Sequence, residues 1–147
     1  MKRMNVDLVS NKFEWRVTDV DQFKNAAVGD AFKSDEFSMH GTKWRLSCNP
    51  QGQTDKSKNN ISLFLACVDL GVYSEFEVDY TLTITELNES SGSTYNYTEP
   101  GQGIGYAKFH CSKDLVTLDT LTIECTIVPK ALRDIASQLQ RAHEMKV

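Results

Sequence analysis

His110 and Cys111 are neighbours, and a thiol beside an imidazole is the pair in this chain best suited to nucleophilic chemistry. That chemistry needs nucleophile and base within hydrogen-bond reach, with a third group orienting the base. Residues 104–110 read as a strand, and adjacent residues of a strand point to opposite faces. The pair is therefore split. His40 falls in a turn and His143 in the tail, far from any shared constellation. No GxSxG, HExxH or phosphate-loop pattern occurs. The chain reads as a non-enzyme.

The cysteines are Cys48, Cys67, Cys111 and Cys125. None forms a CxxC pair, so zinc-ligand spacing is missing and neither metal nor cofactor is expected. Cys48, Cys67 and Cys125 lie on the inward parity of apolar segments. They are expected to be reduced packing residues, as suits a nuclear or cytoplasmic protein. Asn-x-Ser/Thr triplets at Asn60, Asn88 and Asn96 matter only in a secreted chain, and the first residues lack the apolar stretch of a signal peptide.

A net charge of −4 argues against nucleic acid as partner, because binding there relies on clustered cations. No apolar run approaches the roughly 20 residues that span a bilayer, so no membrane role is expected. A length of 147 residues fits one domain with a real core.

The elements that position these residues are short and alternating. Residues 13–17, 43–48, 76–87 and 121–127 show period-two patterning. Residues 61–68 are almost continuously apolar. Ile61, Leu63, Leu65 and Cys67 share the face expected to meet the core. Ser62, Phe64, Ala66 and Val68 share the other, where Phe64 is either covered by a loop or helix or floors a shallow groove. Asn49-Pro50-Gln51-Gly52 has the chemistry of a type I turn. Residues 88–93 read as a hairpin loop, 95–98 as a short strand, and 19–23 as a turn with Phe23 returned to the core. After Pro129, the residues Leu132, Ile135, Ala136, Leu139 and Ala142 recur at helical spacing. Many short strands with turn signals between them predict an all-β antiparallel sandwich with a C-terminal helix. That helix is too short to be stable alone, so its apolar stripe is expected to dock on the sandwich or on another chain.

Six segments in order resemble the MATH (meprin and TRAF homology) domain. They are Lys12-Phe13 with Trp15 and Val17, Lys43-Trp44-Arg45-Leu46, Asn49-Pro50-Gln51-Gly52, Ile61-Ser62-Leu63-Phe64-Leu65, Gly105-Tyr106-Ala107-Lys108-Phe109 and Leu121-Thr122-Ile123-Glu124-Cys125. The nearest resemblance is to the speckle-type POZ protein branch, in which a MATH domain selects substrates and a following BTB domain joins a cullin-based ubiquitin ligase. Val128-Pro129-Lys130-Ala131-Leu132-Arg133-Asp134-Ile135 is similar to the helix that follows the domain there. These 147 residues hold no BTB domain themselves.

The resemblance implies an eight-stranded antiparallel sandwich over residues 12–128, with residues 129–147 as helix or linker. It implies a protein-interaction module whose partner is a short, extended Ser/Thr-containing peptide of a substrate or receptor protein, laid against a sheet. A link to a cullin ligase would run through a BTB domain. The family's groove positions fall on Phe64, Tyr80, Tyr95, Gln102, Gly103, Ile104, Gly105 and Tyr106. Phe64 stands for a tyrosine of the family and Tyr106 for a phenylalanine. Ile104 replaces a tryptophan, Gln102-Gly103 replaces a lysine–aspartate pair, and Ala107 replaces a lysine. With those cations gone and Glu77 and Asp79 expected nearby, phosphate on the peptide should weaken binding or leave it unchanged. Phe64 and Tyr106 are expected to floor one groove, and Gly105 to let an incoming backbone approach. Tyr80 shares the parity of its strand's core face. Two other functions fit the same residues, a TRAF-type signalling adaptor and a secreted carbohydrate-binding sandwich.

Overall fold

The computed structural model describes residues 11–145. Among these residues nine strands form two antiparallel sheets. They are β1 (Lys12–Arg16), β2 (Phe32–Lys33), β3 (Phe37–Met39), β4 (Thr42–Asn49), β5 (Asn60–Asp69), β6 (Phe76–Ile84), β7 (Glu89–Tyr97), β8 (Gly103–Cys111) and β9 (Thr122–Pro129). One sheet has the order β1-β9-β6-β7, and the other has β2-β4-β5-β8 with β3 also on β4. The antiparallel sandwich and the C-terminal helix agree with the sequence reading. The count exceeds the implied eight because β2 and β3, only two and three residues long, pair separately with β4. The described residues also hold two α-helices, α1 (Val20–Lys24) and α2 (Lys130–Met145).

The core lies between the sheets. Trp44, Leu46 and Cys48 of β4 meet Ile61, Leu63, Leu65 and Cys67 of β5 within one sheet. Val78, Leu82, Ile84, Ile123, Cys125 and Ile127 face them from the other, and all are buried. Period-two alternation produces this split. Trp44 is pinned as well as packed. Its Nε1–H donates to the Met39 carbonyl at 3.1 Å, and its ring meets Tyr97 edge-on at 5.2 Å. The Tyr97 hydroxyl in turn donates to the Leu65 carbonyl at 2.8 Å, so the two sheets share a buried polar link.

Residues 19–23 hold a short helix rather than a plain turn. The Asp19 carboxylate accepts from the Gln22 N–H at 3.0 Å and caps it, and Phe23 is buried as expected. The larger departure is β7. Its polar, Ser-rich start reads as a loop, yet all nine of its residues pair with β6. The true reversal is the turn at Thr85–Leu87, closed by Asn88 at φ +51°, a left-handed position that Asn tolerates.

Candidate functional site

Strands β7 and β8 are the outer strands of opposite sheets, and they touch along one side of the sandwich. Among the described residues no strand pairs with the far edge of β8, so one row of its backbone groups is open. Two surfaces flank that row, one on each face of the sheet.

The register builds the outer surface. Lys33 lies opposite Ser47, Ser47 opposite Phe64, and Phe64 opposite Gly105. Beside that row, Arg45 lies opposite Ala66 and Ala66 opposite Gly103. Directly opposed residues project to the same face, so both rows lie on the outside of the sheet. Phe64, Ala66 and Val68 are half-buried and line a depression of about 470 Å³ together with Lys33, Arg45, Ser47 and Gly103. Of the two readings of this face, the groove is the one found. Ser62, the fourth residue on it, is buried and donates to the Ala107 carbonyl at 2.7 Å.

The inner surface is the mouth between the sheets. Ile104 lies opposite Leu65 and Tyr106 opposite Leu63, so both point toward the other sheet and are half-buried. The Tyr106 ring stands 6.4 Å from Tyr80 and 6.2 Å from Phe109. Tyr95 on β7, opposite Val78 of β6, meets Tyr97 edge-on at 4.8 Å. Tyr80 is only 3% exposed and belongs to the core at the base of this mouth. Burial, and then the neighbouring Tyr106, push its phenol well above the ordinary range.

The expected common floor is therefore corrected. Phe64 and Tyr106 lie on opposite faces of the β5–β8 pair, because Tyr106 is in register with inward-facing Leu63 and not with Phe64. Gly105 also differs from expectation. A Cβ there would run into the Leu63 carbonyl oxygen and the Phe64 Cα, so the missing side chain serves the close approach of β8 to β5 within the sheet. Gln102 closes the β7–β8 turn. Its Oε1 accepts from the Thr98 and Glu99 N–H groups at 2.8 and 3.2 Å, and its backbone carbonyl accepts from the Cys67 N–H. Gly103 opens the outer depression toward the edge of β8. Glu77 and Asp79 oppose Asn96 and Thr94 on the outer face of the other sheet, away from Phe64.

At the end remote from the turn, His110 joins the same two strands. Its Nδ1 lies 2.9 Å from the Glu89 carboxylate on β7, and its Nε2 lies 2.7 Å from Asp114. Burial alone would lower its pKa, but the two carboxylates outweigh burial and raise it. Both ring nitrogens are thus engaged, and Cys111 projects away, exposed. The sequence showed these residue types but not the register that unites Lys33, Arg45 and Phe64, or His110 with Glu89.

A slightly larger hollow, about 540 Å³, lies at β1 and β9. Its lining mixes apolar Val17, Val20 and Leu121 with Arg16 and the carboxylates of Glu14, Asp119 and Glu124, and it has no aromatic floor. Thr122 in its lining is held by Glu86, whose carboxylate accepts from the Thr122 N–H at 2.7 Å. It resembles a solvated crease more than a recognition surface.

A model of the MATH domain matches residues 12–127. Among solved structures, TRAF5 of Notothenia coriiceps aligns with a TM-score of 0.59 at 13% identity, covering 80% of this chain and 72% of that one. Identity that low speaks for the fold alone. Comparison with curated proteins returned no match. Since the family model reaches from the first strand into the last, the chain belongs to the MATH-domain family and is a protein-interaction module.

Proposed function

We propose that this domain binds a short extended Ser/Thr-containing peptide along the open edge of β8. The supporting observation is that edge itself, flanked by uncovered apolar surface on both faces. A peptide added as a strand would gain main-chain hydrogen bonds from β8. Its side chains would alternate between the Phe64–Ala66 depression and the Ile104–Tyr106 mouth. Tyr95 and Tyr80 back the mouth, and Gln102 with Gly103 sets its rim. Affinity is modest, because the contact is small and an extended peptide loses entropy on ordering. We also assign the domain to the substrate-recognition part of a cullin-type ubiquitin ligase adaptor of the speckle-type POZ protein branch, in nucleus or cytoplasm. The resemblance of residues 128–135 to that branch's following helix supports this. Finding a BTB domain after residue 147 in the full-length gene product would support the ligase link; a different domain would overturn it.

The binding reading is tested with a peptide array probed by the purified chain, followed by titration of the selected peptides. Phe64→Ala removes an aromatic anchor and should weaken binding by about 1–3 kcal/mol without lowering the melting temperature. Unchanged affinity in Phe64→Ala would place the site elsewhere.

A further inference from the structure

We propose that the hollow beyond the far end of β8 binds a phosphomonoester dianion. Three segments build it. They are the end of α1 at Lys24, the β4–β5 connection at Gln51 and Asn59, and the run from Cys111, the last residue of β8, to Val116. Hydrogen bonds fix these walls. The buried Ser112 hydroxyl donates to the Pro50 carbonyl at 2.6 Å, and the Ser112 N–H donates to the Asn59 carbonyl at 2.9 Å. The Lys24 Nζ donates to the Val116 carbonyl at 3.2 Å, and buried Leu115 adds apolar lining. The result is a depression of about 450 Å³. It lies at the opposite end of β8 from Gly103, so it is separate from the peptide edge and does not rest on the peptide-binding reading.

Charge selects the ligand. Lys24 and Lys113 line the hollow, and among the described residues no carboxylate does. No ion pair of either lysine is found among the described residues. Asp114, next to Lys113 in sequence, is held by His110 Nε2 at 2.7 Å. In a chain of net charge −4, the hollow is thus a local surplus of two positive charges. Lys24 uses one of its three N–H groups on Val116, and Lys113 keeps all three. The side-chain amides of Gln51 and Asn59 line the same space with no hydrogen bond among the described residues, and they supply neutral donors. A phosphomonoester at neutral pH carries close to two negative charges and three acceptor oxygens, which matches two lysines and two amides. One carboxylate would leave a lysine unmatched, and the planar Arg fork that grips carboxylates is absent from the lining. Val116, exposed at the rim, offers apolar contact to the organic part of the ester.

Exposed Cys111 lines the hollow while the other three thiols are buried, so its alkylation reports occupancy. The uncharged reagent iodoacetamide is applied to the native chain in inorganic phosphate, capped phosphoserine, glycerol phosphate, capped serine or acetate, at one ionic strength and neutral pH. Amide chemical shifts of the labelled chain follow the same titrations. Each phosphate compound should slow alkylation about threefold at twice its Kd, as mass action requires. Shifts should saturate at residues 24, 51, 59 and 111–116, and capped serine and acetate should produce neither effect. Lys113→Gln and Lys24→Gln should each weaken phosphoserine binding about three- to tenfold. Lys113 is exposed, so its variant keeps the test decisive if loss of the Lys24 bond to Val116 loosens the wall. Tighter binding of capped phosphoserine than of glycerol phosphate would assign the ester to a modified side chain, and the reverse order to a small metabolite; both support the site. Alkylation and shifts that respond to phosphate no more than to acetate, or an affinity unchanged in Lys113→Gln, would overturn the proposal.

Discussion

His110 bridges Glu89 and Asp114, and that makes the stability of the β7–β8 side depend on pH. Its folded pKa is raised, so the imidazolium is favoured more in the folded chain than in the unfolded one, where it titrates near 6.5. The extra stability is complete below about pH 6.5 and is lost as pH rises through the higher folded value. His110→Gln should therefore lower the melting temperature more at pH 6 than at pH 8.5. An equal loss at both would mean that the bridge is only packing. The cysteines make a second residue-scale case. Burial pushes the Cys67 thiol up to about 11 and that of Cys125 to about 12, and Cys48 is raised further still. Native alkylation followed by mass spectrometry should label exposed Cys111 and spare the other three until the chain is unfolded. A disulfide between any of the buried three in unreduced protein would reverse the expected compartment.

At the scale of elements, the strands that pack were legible and the first half of β7 was not. The alternation of Trp44, Leu46 and Cys48, or of Ile123, Cys125 and Ile127, marks a face buried against another sheet. Strand β7 lacks that signal because Ser91 and Ser93 occupy its inward positions opposite Leu82 and Tyr80. Its pairing with β6 holds it straight, which composition cannot show. Gly105 read as a glycine needing close approach, but the backbone it approaches is β5, a fact held in the register. Gly105→Ala should cost about 1–3 kcal/mol in urea denaturation, since the new methyl meets backbone and not a yielding side chain. A neutral substitution would show that β8 shifts freely. Helix α2 touches β9 and β6, yet Leu132, Ile135 and Leu139 are 43%, 52% and 66% exposed. Docking of that stripe on its own sandwich is thus not found. Ile135→Glu with Leu139→Glu should leave the melting temperature of the monomer unchanged. A fall of several degrees at low concentration would contradict that.

Over the whole molecule, the two sheets place their outer strands on one side, joined by the Gln102-closed turn at one end and by His110 at the other. The sequence located most of the residues along this side but not how they divide between its faces, because alternation is readable and inter-strand register is not. Phe64 and Tyr106 belong to one line of recognition only if the peptide runs along β8 and reaches both faces in turn. The direct measurement is an amide chemical-shift titration of the labelled chain with an array-selected peptide. Binding along β8 predicts shifts concentrated at residues 103–107 and in the strand beneath Phe64, absent from β1 and β9. Shifts centred instead on the carboxylate-lined hollow around Glu14, Asp119 and Glu124, with residues 103–107 unmoved, would contradict it.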